Sequence, residues 1–473
     1  MIDLEAEPGT PKVSISQWAP ATFAILFAMH LLDYMDRNIL SAIVPQLKDP
    51  KSGFGLSNHQ IGMLTTCFLI SYSLVNPAMG WAGDRFRRTW LIGLGVGLWS
   101  LATVASAYAQ SFGQLMACRA VLGIGEATYG VIAPTLLIDL FSRERRSSIL
   151  SAFYLAMPLG SALGLGLGAT IAKRYGWQSA FLIVGTPGLI AAFLALLLPE
   201  PVRGASEKVS TDRLQAQERR GASKADYIDL AVNSSFTYSV FGQAAYVFAI
   251  GGLLVWIPYF LSSTRHIDQE TANWTLGIVT FFAAITGMSL GGTISDRLAR
   301  KDSRALFIVP GIAMLAAVPA TLLGLFAHQP AAIYTGIFLA EAFMFVNVGP
   351  CVAILANVVT PNMRGTALAI ATLMMHLLGD IWSPSLVGWV ADYCGNPDTM
   401  ARGFGHVLAS IGAVPTPQGN GQPPQNLLAG LLITVPAIFI SGIVFLAGAR
   451  HLPREMDLML AKLKAKTNES DEL

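Results

Sequence analysis

Residues 80–88 read GWAGDRFRR, and residues 292–301 read GTISDRLARK. Each stretch closes an apolar run with a glycine, an Asp-Arg pair four residues on, and further basic residues. Asp84 and Asp296 stand 212 positions apart. A second echo lies at nearly the same offset: Pro134 and then Arg146, against Pro350 and then Arg364, separated by 216 and 218 positions. Two motifs recurring at almost one spacing point to a duplicated chain, and such repeats settle architecture before any single element does.

Composition says what is duplicated. Apolar residues make up 53% of the 473 positions and charged residues 13%. A soluble domain carries roughly 25% charged residues, because its surface must be wetted. About half that value means that most of the surface faces lipid, which excludes a string of soluble domains. A net charge of +2 gives no basic excess for nucleic acid, so no nucleic-acid partner is expected. Cys67, Cys118, Cys351 and Cys394 are scattered without metal-ligand or disulfide spacing. The acidic start, MIDLEAEPGTPKVS, lacks the basic and apolar regions of a cleaved leader, so the first apolar helix is expected to be retained.

A helix needs about 20 apolar residues to cross ~30 Å of hydrocarbon, where every backbone group must bond internally. On that rule twelve spans are predicted, near 18–45, 58–82, 90–110, 112–141, 147–172, 178–198, 230–262, 271–298, 305–327, 331–359, 364–392 and 427–450. An even number puts both termini on one side. That side holds 23 Lys and Arg and the other holds six, with Arg37 and Arg119 inside apolar runs. Excess Lys and Arg mark the cytoplasmic side. The expected organisation is therefore a cytoplasmic N-terminus (1–17), a six-helix bundle (18–198), a charged cytoplasmic linker (199–229), a second bundle (230–450) and a cytoplasmic tail (451–473). Residues 394–426 form a Pro/Gly/Gln-rich external loop in this reading. The alternation of REMDLMLAKLKAK (454–466) suits either the membrane surface or solvent. Parallel repeats of this kind place substrate sites near the midplane, between the halves.

Ionisable residues at membrane depth are functional-site candidates by default. The first span contains HLLDYMDRN, whose Asp33, Asp36 and Arg37 share roughly one face. Two carboxylates beside one guanidinium are not all neutralised by simple pairing. At least one is a candidate to carry a proton, and Asp36 is the choice, with Asp33 read as a residue of the wet end. In the fourth span, CRAVLGIGEATYGVIAP, Arg119 and Glu126 stand seven residues apart on one face. About 10 Å separates them, at 1.5 Å per residue. Each is expected to meet the first span, a water or a substrate. A static ion-pair lattice is the plain alternative.

In the second half Glu341 stands alone in the tenth span, where it is expected to be protonated or to touch substrate. His376 and Asp380 share a face of the eleventh span and are read as packing or cavity-lining residues, and His30 is given still less weight. Gly251, Gly252 and Pro258 weaken the seventh span and make it a hinge candidate at the external gate, beside Trp256. The GxxxG spacings Gly160–Gly164–Gly168 and Gly93–Gly97 are read as close helix packing.

Enzyme signatures fail on context. Gly287-Met288-Ser289-Leu290-Gly291 matches the GxSxG elbow but lies within a span, not at a strand–turn–helix. The chain has no Gly-Lys dipeptide, hence no Walker A loop and no direct ATP drive, and no HExxH or metal-spaced Cys/His cluster. The chain is not expected to be an enzyme, and no cofactor or metal is expected.

The Gly…Asp-Arg…basic turn resembles the loop signature of the major facilitator superfamily, over the whole chain. YMDRN in the first span, RAVLGIGEATYGVIAPTLLIDLF (119–141) and GGLLVWIPYFL in the seventh look like that superfamily's spinster branch. The resemblance implies an all-α fold of twelve transmembrane helices, two six-helix parallel repeats around a central cavity. It also implies proton-linked movement of amphipathic lipids, lysophospholipid or sphingosine-1-phosphate-like, by alternating access. Its site residues carry over onto Asp36, Arg37, Arg119, Glu126 and Glu341, for proton coupling and substrate binding. Its gate carries over onto Gly80, Asp84, Arg85, Arg88, Asp296 and Arg297. The expected setting is a monomer among membrane lipids, in a bacterial inner membrane. A proton-coupled organic-anion symporter of the same superfamily is the second reading, separated by the GEATYGVIAPT stretch. A receptor, scaffold or channel is disfavoured by the buried charges and both gate motifs.

Overall fold

The structure, a computed structural model, describes residues 15–141, 145–201, 224–360, 363–418 and 422–471. Most of the linker expected over 199–229 thus lies outside the described residues.

The twelve spans are α1 (Ile15–Ala42), α2 (Asn58–Arg85), α3 (Arg88–Ser106), α4 (Phe112–Leu140), α5 (Ala156–Tyr175, with a lead-in turn Arg146–Tyr154) and α6 (Trp177–Leu197). They continue as α7 (Ser234–Ser263), α8 (Gln269–Ala299), α9 (Ala305–Phe326), α10 (Pro330–Phe345 and Val348–Val358), α11 (Arg364–Leu378 and Ser383–Tyr393) and α12 (Leu427–Leu432 and Thr434–Gly448). By length and composition, 11 of these helices suffice to cross a membrane. The remaining one, α1, has 28 residues but carries Asp33, Asp36 and Arg37 in its second half.

Local chemistry starts the helices where the sequence says. Ser57 and Gln60 cap α2 reciprocally, each accepting the other's backbone N–H. Asn233 caps α7, and the Glu455 carboxylate accepts from the Ser234 and Ser235 N–H groups at 2.8 Å each. Glu455 belongs to a tail helix, Leu452–Asp471, whose first turns pack against the second half, with Leu452 fully buried. At its near end the tail thus packs on the protein itself, which neither of the two alternatives foresees.

The repeat is visible in the packing. In the first half α4 packs on α2 and α3, and α3 on α6; in the second α10 packs on α8 and α9, and α9 on α12. The Gly160–Gly164–Gly168 stripe admits α1: a Cβ at Gly160 would lie 2.6 Å from the Leu31 carbonyl oxygen, and one at Gly164 2.5 Å from that of Met35. Trp256 is fully buried and donates to the Pro384 carbonyl at 2.9 Å, so it belongs to the α7–α11 core rather than to a cavity wall.

The halves meet at the end opposite the termini, called distal below. There α5 packs on α8 and α2 on α11. Among the described residues, every hydrogen bond between halves lies in the distal part. Thr170 donates to Glu270 at 2.9 Å, Lys173 to Asp268 at 2.6 Å, and Thr66 to the Ile381 carbonyl at 2.5 Å. Lys48, which is buried, donates to Asn58 at 2.6 Å and places its ammonium 5.3 Å from the Tyr259 ring. Asn58 passes the link to Asp392 (2.7 Å) and Gln425 (2.9 Å). Asp392 accepts from the His59 N–H at the start of α2, at 2.8 Å. Gln422 donates to the Lys48 carbonyl, so the 394–426 loop straps this end shut.

α11 is not continuous. It breaks at Gly379–Trp382, where Gly379 lies against the α7 backbone: a Cβ there would come 2.7 Å from the Ala244 carbonyl oxygen. By contrast α7, the expected hinge, runs unbroken from Ser234 to Ser263, Pro258 included. Gly251 and Gly252 serve close packing on α11, with a Cβ at Gly251 only 2.7 Å from that of Asp380.

Candidate functional site

α4 is brought against its neighbours by glycine. A Cβ at Gly123 would lie 2.5 Å from the Phe68 carbonyl on α2, and one at Gly125 2.7 Å from that of Gly95 on α3. Tyr129, fully buried, reaches α1 and donates to the Leu26 carbonyl at 2.6 Å. The GEATY run is thus a packing device that fixes the distance from α4 to α1, and Glu126 lies inside it.

Four predicted residues come together there. Arg37 Nε stands 2.7 Å from Glu126 Oε2 and 3.2 Å from Asp33 Oδ1. The Nε hydrogen is aimed at Asp33, so the Glu126 contact is an ion pair rather than an aligned hydrogen bond. Three aromatic rings, of Tyr34, Phe68 and Tyr72, surround the guanidinium at 5.0, 5.3 and 5.0 Å. On the other side of α1, Asp36 accepts from Thr103 on α3 and faces Arg119 Nη1 at 4.0 Å. Arg119 keeps Nε and Nη2 without hydrogen-bond partners among the described residues, over the Phe181 ring at 5.1 Å. Of the partners expected for Arg119 and Glu126, the first span thus supplies one to each, Asp36 at 4.0 Å and Arg37 at 2.7 Å.

Asp33 departs from the reading as a wet end residue. It is 2% exposed and shares Arg37 with Glu126. The lead-in to α5 covers the preceding turn of α1, with Phe153 and Tyr154 around His30. Nothing in the spacing of the first span signals that cover.

The cluster borders a cavity of about 190 Å³ between the halves. Tyr34, Arg37, Phe68, Leu69 and Arg119 line it from the first half, and Gly251, Leu254, Val255, Asp380 and Pro384 from the second. Asp380 accepts from or pairs with His376 Nδ1 at 2.9 Å, and the His376 ring meets Tyr72 edge-on at 6.0 Å. The second half's acid at the cavity is thus Asp380, placed by the break in α11. Glu341 does not join the cluster. It is buried inside the second bundle, beside a cavity of about 20 Å³ lined by α7, α9 and α10 residues such as Ile250, Thr321 and Met344.

The described gate residues stay within their own halves. Arg88 is buried and donates to Asp139 at 2.6 Å and Glu200 at 2.9 Å, tying the start of α3 to the ends of α4 and α6. Arg85 is exposed and lies over the Trp81 ring at 4.3 Å. Asp296 and Arg297 are exposed at the end of α8, and the Asp84 side chain lies outside the described residues. At this turn the tight helix approach is made by the glycines beside the motif ones. A Cβ at Gly83 would meet Ile132 at 3.1 Å and one at Gly291 would meet Val346 at 2.8 Å, whereas Gly80 has 3.7 Å of room and Gly292 has open space.

The Major Facilitator Superfamily model matches residues 26–384. Protein spinster of Drosophila melanogaster is 35% identical over 392 residues, covering 80% of this chain and 63% of the fly protein. Human protein spinster homolog 1 is 34% identical over 387 residues, covering 78% of this chain and 72% of the human one. The chain thus matches less than two thirds of the fly protein's length. A solved bacterial homologue of the human lysosomal transporter spinster, in an inward-facing and unoccupied conformation, superposes with a TM-score of 0.78 at 20% identity, over 94% of this chain and 99% of that one. A D-xylose–proton symporter superposes with a TM-score of 0.66 at 17% identity, over 89% and 96%. These two likenesses are of fold. Matched along most of its length by the family model and by curated relatives above 30% identity, the chain belongs to the major facilitator superfamily, in its spinster branch.

Proposed function

We propose that this transporter moves amphipathic lipids with an anionic headgroup, lysophospholipid or sphingosine-1-phosphate-like, by proton-coupled alternating access. The observation that supports this reading is Arg119, a residue of the cavity wall whose buried Nε and Nη2 have no hydrogen-bond partner among the described residues. A buried guanidinium with open donors is a strong anion receptor, and a planar one suits phosphate. The leucine, valine and phenylalanine walls then suit an acyl chain.

Proton coupling rests on the charge count of the cluster. Asp33, Asp36 and Glu126 face only two guanidiniums, Arg37 and Arg119. One proton would balance the set, and an incoming anion at Arg119 would change that balance at Asp36. Binding of substrate and proton are thereby linked through one buried set of charges. With the termini-bearing side taken as cytoplasmic, from the Lys and Arg bias, the closed distal end faces outside and the cavity faces in.

The test is uptake of radiolabelled lysophosphatidylcholine into proteoliposomes, with and without an imposed pH gradient. Gradient-stimulated uptake that Asp36→Asn makes insensitive to pH supports the reading. No uptake under either condition, with uptake of a small organic anion in its place, moves the chain to the organic-anion class.

A further inference from the structure

His30 lies one turn before Asp33 on α1, on the terminus side, and is 6% exposed. Its ring stacks on Phe153 at 4.4 Å with an interplanar angle of 6°, and meets Tyr34, Tyr129 and Tyr154 at 5.2, 5.8 and 5.9 Å. Neither ring nitrogen has a hydrogen-bond partner among the described residues. A phenylalanine would fill this aromatic nest without leaving two buried polar atoms unpaired. The imidazole therefore does something there that packing does not require.

Its nearest polar neighbour is the cluster. His30 Nδ1 stands 3.6 Å from Asp33 Oδ2, while the other oxygen, Oδ1, is held by Arg37. Asp33 thus addresses the imidazole and the guanidinium with separate oxygens. A contraction of about half an ångström would bring Nδ1 into hydrogen-bond range. The Tyr129 hydroxyl, on α4, is already committed to the Leu26 carbonyl and does not compete. The charged and titratable groups around the ring are Asp33, Tyr34 and Arg37 on α1, Tyr129 and Glu126 on α4, and Tyr154 on the lead-in to α5.

We propose that His30 is the relay residue on the terminus side of the charge cluster, exchanging one proton with Asp33. The step is a transfer from imidazolium Nδ1–H to Asp33 Oδ2. It leaves a neutral imidazole with its hydrogen on Nε2 and a neutral carboxylic acid that no longer competes with Glu126 for Arg37. Arg37 then pairs with Glu126 alone, and the return transfer restores the shared arrangement. The assignment rests on the proton-coupled reading above and deepens it, giving the coupling site a donor besides the carboxylates.

The test compares wild type with His30→Phe, His30→Gln and Asp33→Asn by pH-difference infrared spectroscopy of the purified protein, which needs no substrate. In wild type the carboxyl band abolished by Asp33→Asn titrates together with an imidazole band. In His30→Phe and His30→Gln that carboxyl band titrates at a different pH, alone. In proteoliposomes the same two variants retain counterflow exchange of labelled lysophosphatidylcholine and lose at least ten-fold in pH-driven accumulation. Where His30→Phe does not fold, His30→Gln carries both arms. An Asp33 band that titrates identically with and without His30 overturns the proposal. Failure of lipid uptake in wild type, with the infrared coupling intact, sinks the lipid reading and leaves the relay standing.

Discussion

Arg37 on α1 and Glu126 on α4 approach to 2.7 Å, and the approach is made where α2 and α3 are held against α4 by Gly123 and Gly125. An ion pair at that depth is expensive to desolvate, and removing one partner leaves an uncompensated charge, at about 3–5 kcal/mol. Arg37→Gln should therefore lower the thermal midpoint of the detergent-purified protein sharply. Arg37→Gln combined with Glu126→Gln should recover part of that loss, because only Asp33 of the two carboxylates at Arg37 is then left without its guanidinium. A double variant as unstable as the single one would show that the two side chains are not energetically linked.

Arg119 makes a different demand. Its unpaired Nε and Nη2 form a planar edge that a lysine cannot reproduce. Arg119→Lys should weaken binding of a phosphate-bearing lysolipid by about ten-fold, the order expected for losing one charge-assisted hydrogen bond. Binding of the matching monoacylglycerol, which lacks the anion, should change little. Equal losses for both ligands in a binding titration would remove Arg119 from headgroup recognition.

Lys48 gives the distal closure a pH dependence. Burial at the interface holds its ammonium down at about 8, against the pull of the Asp392 carboxylate. Opening this end would return the side chain to water and to its ordinary value near 10.4. Between those two pH values the open state binds more protons than the closed one, so raising the pH through about 8 favours closure. Below pH 8 Lys48 is charged in both states and adds no slope. Spin labels at Lys51 and Tyr393 should report shorter distances as pH rises from 7 to 9, and Lys48→Met should abolish the change.

The motif glycines separate packing from movement. Gly291→Ala puts a methyl group against the Val346 backbone and should destabilise by about 1–3 kcal/mol, the usual cost of overpacking. Gly292→Ala meets open space and should leave thermal stability unchanged. If the terminus side closes during transport, a larger residue at Gly292 should slow uptake without unfolding the protein. Uptake by Gly292→Leu at the wild-type rate would mean that this surface never comes together.

Much of this was legible in the residues, for physical reasons. Apolar length announces spans because lipid leaves the backbone no other choice, and the Asp-Arg echo announced the duplication. That Arg119 and Glu126 need partners other than each other follows from their separation, while the choice of α1 among the possible partners does not. The depth of Asp33 is not written in the first span: it shares Arg37 with Glu126, which lies 93 residues away in sequence. Glu341 drew attention by standing alone in an apolar run, yet the face of α10 that carries it looks into its own bundle. Asp380 reaches the cavity through the helix break at Gly379–Trp382, where Gly379 lies against α7 and the next segment starts with Pro384 in its first turn. The gate arginines followed the same logic: nothing in a loop's charge says whether its partner sits in the same half, as Asp139 does for Arg88.

The break in α11 has a mechanical meaning. Ending a helix within the membrane frees carbonyls, and the one at Ile381 is taken up by the Thr66 hydroxyl of the opposite half, with Ser385 2.8 Å from the same hydroxyl. A polar joint at the inner end of the distal contact, about 12 Å along α2 from Asn58 at 1.5 Å per residue, can survive a tilt that would tear apart contacts at the distal rim. Thr66 and the Ile381–Ser385 turn are thus suited to act as a fulcrum, about which the distal strap lets go while the terminus side swings shut.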